Sequence, residues 1–180
     1  MKSDVDHLAA IIKQRNRVAK EIAIHIGRPA LIGHVGEYIA SLIFDIQLAE
    51  SASQKSIDGY FQTGSLAGKS VDVKWYGKRE GLLDMKDDPI LDYYLVLTGP
   101  KTTATSSRFK LRPWIISSVY LFDAKTLVSE LKAAGRKIGV ATSVKQVYWN
   151  RAEIYPRQQN SALNLTHEQR EMIALFDHRD

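Results

Sequence analysis

The sequence contains no cysteine, which excludes a disulfide scaffold, a zinc–thiolate site, an iron–sulfur cluster and a cysteine nucleophile. It also lacks a long apolar run near its start, where the longest such run spans only residues 8–12 and is far too short to cross a bilayer. The first residues are acidic, whereas a secretory signal is basic and then apolar. From these absences we expect a cytoplasmic protein that does not contact a membrane.

What is present is a chain of 180 residues in which 44% of residues are hydrophobic and 25% are charged. These values are close to the average of globular proteins, and the length fits one domain. Lysine and arginine number 25 against 20 acidic residues, which gives a net charge of +5. This surplus favours a polyanionic partner but does not by itself demonstrate one.

Apolar residues at helical spacing predict two helices, over residues 1–27 and 35–49. In the first helix Arg15 interrupts an apolar stripe, which consists of Leu8, Ile11, Ile12, Val18, Ala19, Ile22 and Ile26. The face opposite this stripe is basic and carries Lys13, Arg17 and Lys20. The second helix is expected to place Glu37 in its first turn and to bury Ile39, Leu42, Ile43, Ile46 and Ala49.

The spacing of apolar residues then changes to period two, which predicts three strands over residues 56–62, 70–76 and 93–97. The first two strands are expected to form a hairpin, because glycine-containing turn residues separate them. Residues 78–89 are expected to form a charged loop.

The last part of the chain mixes helix and strand signals. Residues 102–107 are rich in serine and threonine and are expected to form a linker. After it we expect a β-rich stretch over residues 114–122 and a helix over residues 124–134 that is capped by Asp123. A short strand or turn is expected around residues 143–149. A final helix is expected to begin with the capping box Thr166-His167-Glu168-Gln169 and to reach about residue 176.

Together these elements predict an α/β fold with a mixed central β-sheet flanked by helices. We expect a single domain over residues 1–180. Within it we distinguish an N-terminal helix over residues 1–33, a core with an acidic hairpin over residues 34–100, and the remaining strands and helices over residues 101–180.

Three common catalytic patterns are incomplete or missing. Residues 63–70 end in the Gly-Lys-Ser of a phosphate-binding loop, but Thr63 stands where that motif has glycine, and a strand signal follows where the motif needs a helix. The five histidines show no zinc-ligand spacing. No Gly-x-Ser-x-Gly elbow occurs, so serine hydrolysis has no support in the sequence.

The predicted hairpin carries the residues best suited to chemistry. Period-two alternation places Asp72 and Lys74 on one face of their strand, and Asp58 on the partner strand is positioned to reach the same end of the sheet. Glu37, on the preceding helix, is a third candidate acid. Clustered carboxylates beside a lysine suit Mg²⁺-assisted hydrolysis of a phosphodiester. The alternative is that Asp72 and Lys74 form only a surface charge pair and Asp58 serves a turn.

Three segments carry acidic residues in a fixed order, namely Glu37 within Gly-Glu-Tyr-Ile-Ala, then Ile57-Asp58-Gly59, then Val71-Asp72-Val73-Lys74. This order resembles the PD-(D/E)XK, or restriction-endonuclease-like, nuclease superfamily, and within it bacterial proteins built on that core. The resemblance covers about residues 35–97. It implies a core of a helix, a three-stranded meander that carries the acids, a further helix and a further strand. Ile57 departs from the family motif, which has proline at this position.

Carried over by position, the resemblance implies that Asp58 and Asp72 bind metal and that Lys74 positions the nucleophile. Glu37 would be the acid from the first core helix, and the carbonyl of Val73 would complete the shell of a Mg²⁺ or Mn²⁺ ion. The implied activity is a metal-dependent DNA endonuclease. Because cutting both strands of a duplex usually takes two sites, a homodimer is expected by analogy.

Basic residues near the hairpin are candidate DNA contacts. Lys69, Lys78 and Arg79 flank the acids, and aromatic residues are interleaved with them. Arg108, Lys110 and Arg112 form a second candidate track for phosphates. The resemblance leaves a competing function open, namely a non-catalytic DNA-binding or protein-interaction module on a degenerate nuclease fold. A third hypothesis is a small-molecule enzyme, which would require a binding pocket that the sequence does not indicate.

Overall fold

The chain is built around a six-stranded sheet, as seen in a computed structural model that describes residues 2–49, 57–101 and 112–177. The strands in chain order are β1 (Ile46–Leu48), β2 (Gly59–Phe61), β3 (Ser70–Tyr76), β4 (Leu82–Leu83), β5 (Tyr93–Thr98), β6 (Ser118–Asp123), β7 (Thr142–Ser143) and β8 (Glu153–Tyr155). The helices are α1 (Lys2–Ile26), α2 (Ile32–Phe44), α3 (Ala124–Ala133), α4 (Gln146–Ala152) and α5 (His167–Ala174).

The six-stranded sheet has the spatial order β1-β2-β3-β5-β6-β8, and β4 pairs with β7 in a separate two-stranded sheet. Within the large sheet β3 and β5 run parallel, and the other neighbours are antiparallel. The predicted hairpin is confirmed, because β2 pairs antiparallel with β3. Its turn contains Gly68 at a φ of +78°, a conformation that favours glycine. The prediction of a mixed sheet flanked by helices is therefore confirmed.

Two apolar cores lie on the two faces of this sheet, and β3 contributes to both because successive strand residues point to opposite faces. The first core packs with α2 and α5 and receives Val71, Val73 and Trp75 from β3. The second core packs with α3 and α4 and receives Tyr76 from β3. The other large residues of the second core include Tyr94, Val96, Tyr120, Phe122 and Trp149.

Close contact between α2 and β3 depends on a glycine. A Cβ built on Gly36 lies only 2.9 Å from the Cβ of Trp75, so a larger residue at position 36 forces the helix and the strand apart. On its other side Trp75 donates a 3.1 Å hydrogen bond from Nε1 to the carbonyl of Ile115. The buried indole is therefore both packed and satisfied.

The prediction for the second helix was wrong at both ends. The helix begins at Ile32 and ends at Phe44, because Asp45 adopts a left-handed conformation at a φ of 52° and stops it. Ile46 then begins β1, where it pairs with Phe61. Leu42 is exposed rather than buried. Glu37 accordingly lies in the second helical turn and not in the first.

Elsewhere the local capping signals are confirmed. The Asp123 carboxylate accepts a 2.7 Å hydrogen bond from the backbone N–H of Thr126 at the start of α3. The capping box at Thr166 begins α5. Two predictions need correction, because residues 143–149 lie mostly in α4 and the loop over residues 78–89 contains β4. Strand β8 was not predicted from the sequence.

Some predictions fall outside the described residues. These are the first residue of the strand expected over residues 56–62, the linker over residues 102–107, and Arg108 and Lys110 of the second basic track. Arg112 is described and forms a 3.0 Å ion pair with Glu80. In the part of the chain that the structure describes, no helix is both long and apolar enough to cross a bilayer.

Candidate active site

The face of β3 that carries Asp72, Lys74 and Tyr76 points toward the second core, and we call it the acid face. Asp72 is almost completely buried there, with 4% of its surface exposed. The ammonium of Lys74 lies 2.6 Å from Asp72 Oδ1, and a quarter of the Lys74 side chain is exposed. The alternation predicted from the sequence therefore places these two side chains next to each other, but Asp72 lies in the interior and only Lys74 reaches the surface.

Asp58 lies beside the acid face because it directly precedes β2. Its backbone N–H donates a 2.9 Å hydrogen bond to the carbonyl of Val71. Its carboxylate Oδ2 accepts a 2.8 Å hydrogen bond from the backbone N–H of Val73. The side chain is thus turned toward β3, where its charge acts on Asp72. The structure brings Asp58, Asp72 and Lys74 together at one end of the hairpin.

The carboxylate of Asp72 is incompletely satisfied. Among the described residues Oδ1 accepts no well-directed hydrogen bond, although Lys74 is close enough for an ion pair. Burial raises the pKa of the Asp72 carboxyl to about 7; Lys74 opposes this rise, and the charge of Asp58 adds to it. Near neutral pH this group is therefore a buried acid that can gain or lose a proton, and a cation would favour its charged form.

The backbone of β3 adds an oxygen to the same place. The carbonyl of Val71 points toward β2, where it accepts from Asp58. Backbone groups alternate along a strand, so the carbonyl of Val73 points to the same side, beyond the end of β2. The N–H of Val73 already bonds to Asp58 on that side. Val73 therefore contributes a backbone carbonyl to the neighbourhood of both carboxylates.

A segment over residues 84–86 crosses the acid face and is held there by two tyrosines. The hydroxyl of Tyr76 accepts a 2.9 Å hydrogen bond from the backbone N–H of Asp84. The hydroxyl of Tyr94 accepts from the N–H of Lys86 at 3.1 Å and donates to its carbonyl at 2.8 Å. Alternation already placed Tyr76 on this face, but Tyr94 arrives through the pairing of β5 with β3, which the sequence did not reveal.

Glu37 does not join the other acids. Its carboxylate is paired with Arg28, and α2 packs against the opposite face of β3, where Gly36 meets Trp75. In the part of the chain that the structure covers, no group of three or more histidine or acidic side chains is placed to hold a metal ion. The site therefore offers two carboxylates rather than the three considered from the sequence.

The three candidate DNA contacts differ in exposure. Lys69 is exposed and lies 3.7 Å from Asp92 Oδ1, whereas Lys78 is half-buried. Arg79 is only 8% exposed. Its guanidinium lies over the rings of Tyr120 and Trp149, 5.6 Å and 5.4 Å from their centroids, and donates to Gln146. Lys69 is thus the one of the three that faces open solvent.

Comparison with known proteins adds no further assignment. No protein-family model matches the chain, and no curated protein matches it. The chemistry of the site is therefore argued from its own geometry. That geometry comprises two adjacent carboxylates, one of them buried, together with an ammonium and a backbone carbonyl.

Proposed function

We propose that this chain is a divalent-metal-dependent endonuclease that hydrolyses phosphodiester bonds in DNA, on a restriction-endonuclease-like core. The observation that carries the proposal is the environment of Asp72. This carboxylate is buried beside a second carboxylate and a lysine, and its Oδ1, 2.6 Å from the Lys74 ammonium, accepts no well-directed hydrogen bond within the described residues. A purely structural acid at such a position is normally hydrogen-bonded.

The donor set suits Mg²⁺ or Mn²⁺. Magnesium prefers oxygen ligands, is commonly held by one or two carboxylates, and retains several waters. Asp58, Asp72 and the carbonyl of Val73 would hold such an ion. When bound, it supplies Lewis acidity to a phosphate and lowers the pKa of a coordinated water.

Lys74 has a separate role in this proposal. Its ammonium is next to Asp72 but partly exposed, so it can face both the buried acid and a phosphate that approaches from solvent. A positive charge held at this position orients the attacking water and offsets the negative charge that grows on the phosphate. The ion pair with Asp72 keeps the flexible lysine side chain in place.

The substrate class follows from charge and from the family resemblance. The net charge of +5 and the exposed ammonium of Lys69 favour a polyanion. DNA is the substrate that the resemblance implies. The homodimer that would cut both strands of a duplex belongs to the same proposal.

A cleavage assay tests this function. Wild-type protein is incubated with duplex, single-stranded or branched DNA in Mg²⁺, Mn²⁺ or a chelator, beside Asp72→Asn and Lys74→Ala. Asp87 and Lys132 provide matched controls, since they form an exposed acid–lysine ion pair with each other rather than with the acids of the site. We expect metal-dependent cleavage by the wild type and by Asp87→Asn and Lys132→Ala, and its loss in both site variants.

Two results would contradict the proposal. One is the absence of cleavage by the wild type under every condition; the other is equal cleavage by the site variants. Salt-sensitive DNA binding that survives loss of Asp58 and Asp72, without any cleavage, would instead support the non-catalytic module.

A further inference from the structure

The apolar stripe of α1 is largely uncovered. None of the described residues of this 25-residue helix is buried, and only its last turns pack on the first core, through Ile22 and Ile26. Leu8 is 57% exposed and Ile11 is 48% exposed. Beside the stripe lies a groove of about 450 Å³ that Ile11 and Trp114 help to line. A contiguous exposed apolar surface of this kind marks an interaction site.

Two charged residues lie on the same stripe. The stripe follows alternating spacings of four and three residues through Asp4, Leu8, Ile11 and Arg15. This spacing places all four residues along one seam of the helix. Within the described residues Arg15 forms no ion pair, and its guanidinium makes only a 3.4 Å hydrogen bond to the adjacent Asn16. The Arg15 guanidinium would therefore be stabilised by a carboxylate that lies opposite it on a partner helix.

We infer that α1 pairs with α1 of a second copy of this chain, in antiparallel orientation. Asp4 lies four residues before Leu8, and Arg15 lies four residues after Ile11. An antiparallel pair that sets Leu8 of one copy against Ile11 of the other therefore also sets Asp4 against Arg15. Twofold symmetry makes each of these contacts twice. A parallel pair would place Arg15 against Arg15.

This charge match identifies the occupant of the stripe as a second copy. A bilayer surface would be a poor partner, because Asp4 and Arg15 would enter it together with the apolar side chains. Paired charges in an otherwise apolar seam fix the register of two helices. The interaction leaves the acid face open, since α1 packs on the first core and the acid face points to the second. Its test therefore does not depend on the proposed nuclease activity.

Charge reversal tests the pairing in the full chain. The mass in solution is measured by size-exclusion chromatography with light scattering, and helicity by circular dichroism. We expect a dimer for the wild type, monomers for Arg15→Asp and for Asp4→Arg, and a restored dimer for the double variant. Lys13→Asp, which reverses a charge on the opposite face of the same helix, is the control and stays dimeric.

Cross-linking tests the antiparallel orientation of the two helices. An introduced cysteine is the only thiol available to the reagent, because the natural chain has no cysteine. In the antiparallel pair the two copies of residue 8 are offset by about 4.5 Å along the axis, and those of residue 19 by about 28 Å. A short bismaleimide is therefore expected to join Leu8→Cys chains into dimers and to leave Ala19→Cys chains unlinked.

Four outcomes would overturn the inference. These are a monomeric wild type at every concentration tested, a dimer that is unaffected by Arg15→Asp, failure of the double variant to restore association, and equal cross-linking at positions 8 and 19. Monomers that instead bind vesicles of anionic phospholipid would assign the stripe to a membrane surface.

Discussion

The two faces of β3 share one backbone but have opposite chemistry. On one face Val71, Val73 and Trp75 are buried among apolar side chains and satisfy the rules of a stable core. On the other, Asp72 is equally buried but carries a carboxylate whose Oδ1 accepts no well-directed hydrogen bond within the described residues and is held only by its ion pair with Lys74. Burying such a group without full compensation costs stability. The comparison separates a face that holds the fold from a face that, in our proposal, performs the chemistry.

Truncation of Trp75 should give the largest effect on stability. Trp75→Ala removes a buried indole and is expected to lower the free energy of unfolding by about 3–5 kcal/mol. The double variant Asp72→Asn/Lys74→Met removes both charges from the acid face and is expected to leave the free energy of unfolding unchanged or to raise it, because replacing a buried ion pair with uncharged side chains is often neutral or stabilising. Urea denaturation measures both values. A double variant as unstable as Trp75→Ala would show that the two faces do not differ in this way.

A substitution at Gly36 tests the packing of the apolar face more finely. Gly36→Ala places a Cβ 2.9 Å from that of Trp75 and is expected to cost about 1–3 kcal/mol. Gly33→Ala in the same helix is the matched control, since nothing lies within 4 Å of its Cβ. That control is expected to be neutral or stabilising by up to about 1 kcal/mol. Equal effects in thermal denaturation would contradict the close approach of α2 to β3.

The free energy of unfolding should depend on pH because of the buried Asp72 on the acid face. Burial raises the pKa of the Asp72 carboxyl from its ordinary value of 3.8 to about 7. Between these values the folded chain holds a proton that the unfolded chain has released. The stability from this group is therefore fully present below pH 3.8 and is lost as the pH rises through about 7.

Asp72→Asn should remove this dependence, because an amide does not ionise. We expect the variant to be more stable than the wild type well above pH 7 and to lose that advantage in acid. Mg²⁺ should raise the melting temperature of the wild type above pH 7, where the carboxylate is charged, and should not raise that of Asp72→Asn. An unchanged pH profile in the variant would contradict the raised pKa.

The smallest expected effect concerns the segment over residues 84–86. Tyr94→Phe removes the hydroxyl that bonds to the backbone of Lys86 and is expected to cost about 1 kcal/mol. Hydrogen exchange at the amide of Lys86 should become faster. Tyr93→Phe on the opposite face is the control and should leave this amide unchanged. Equal exchange in both variants would show that the tyrosine does not hold the segment.

Local patterns predicted much of the fold. The alternation in β3 depends only on neighbouring residues, so it correctly placed Asp72 beside Lys74, and the hairpin correctly brought Asp58 to them. Ile46 was misassigned because it satisfies both the helical stripe before it and the strand alternation after it. The break between these two elements depends on a single left-handed residue, Asp45.

Features that depend on tertiary packing were beyond the sequence. Glu37 pairs with Arg28, and Arg79 is buried against Tyr120 and Trp149, because of how distant elements pack. The burial of Asp72 has the same origin, since Tyr94 on β5 and the segment over residues 84–86 cover its face. The alternating charges of Asp72 and Lys74 are typical of an exposed strand face, but tertiary packing buries Asp72.

Metal-dependent cleavage of DNA by the wild type and by Asp72→Asn, measured side by side above pH 7, tests the central claim most directly. The account predicts cleavage by the wild type that requires Mg²⁺ or Mn²⁺, and no cleavage by a variant that is folded and at least as stable. Cleavage by Asp72→Asn at the wild-type rate would contradict it, because the buried carboxylate would then have no part in the reaction.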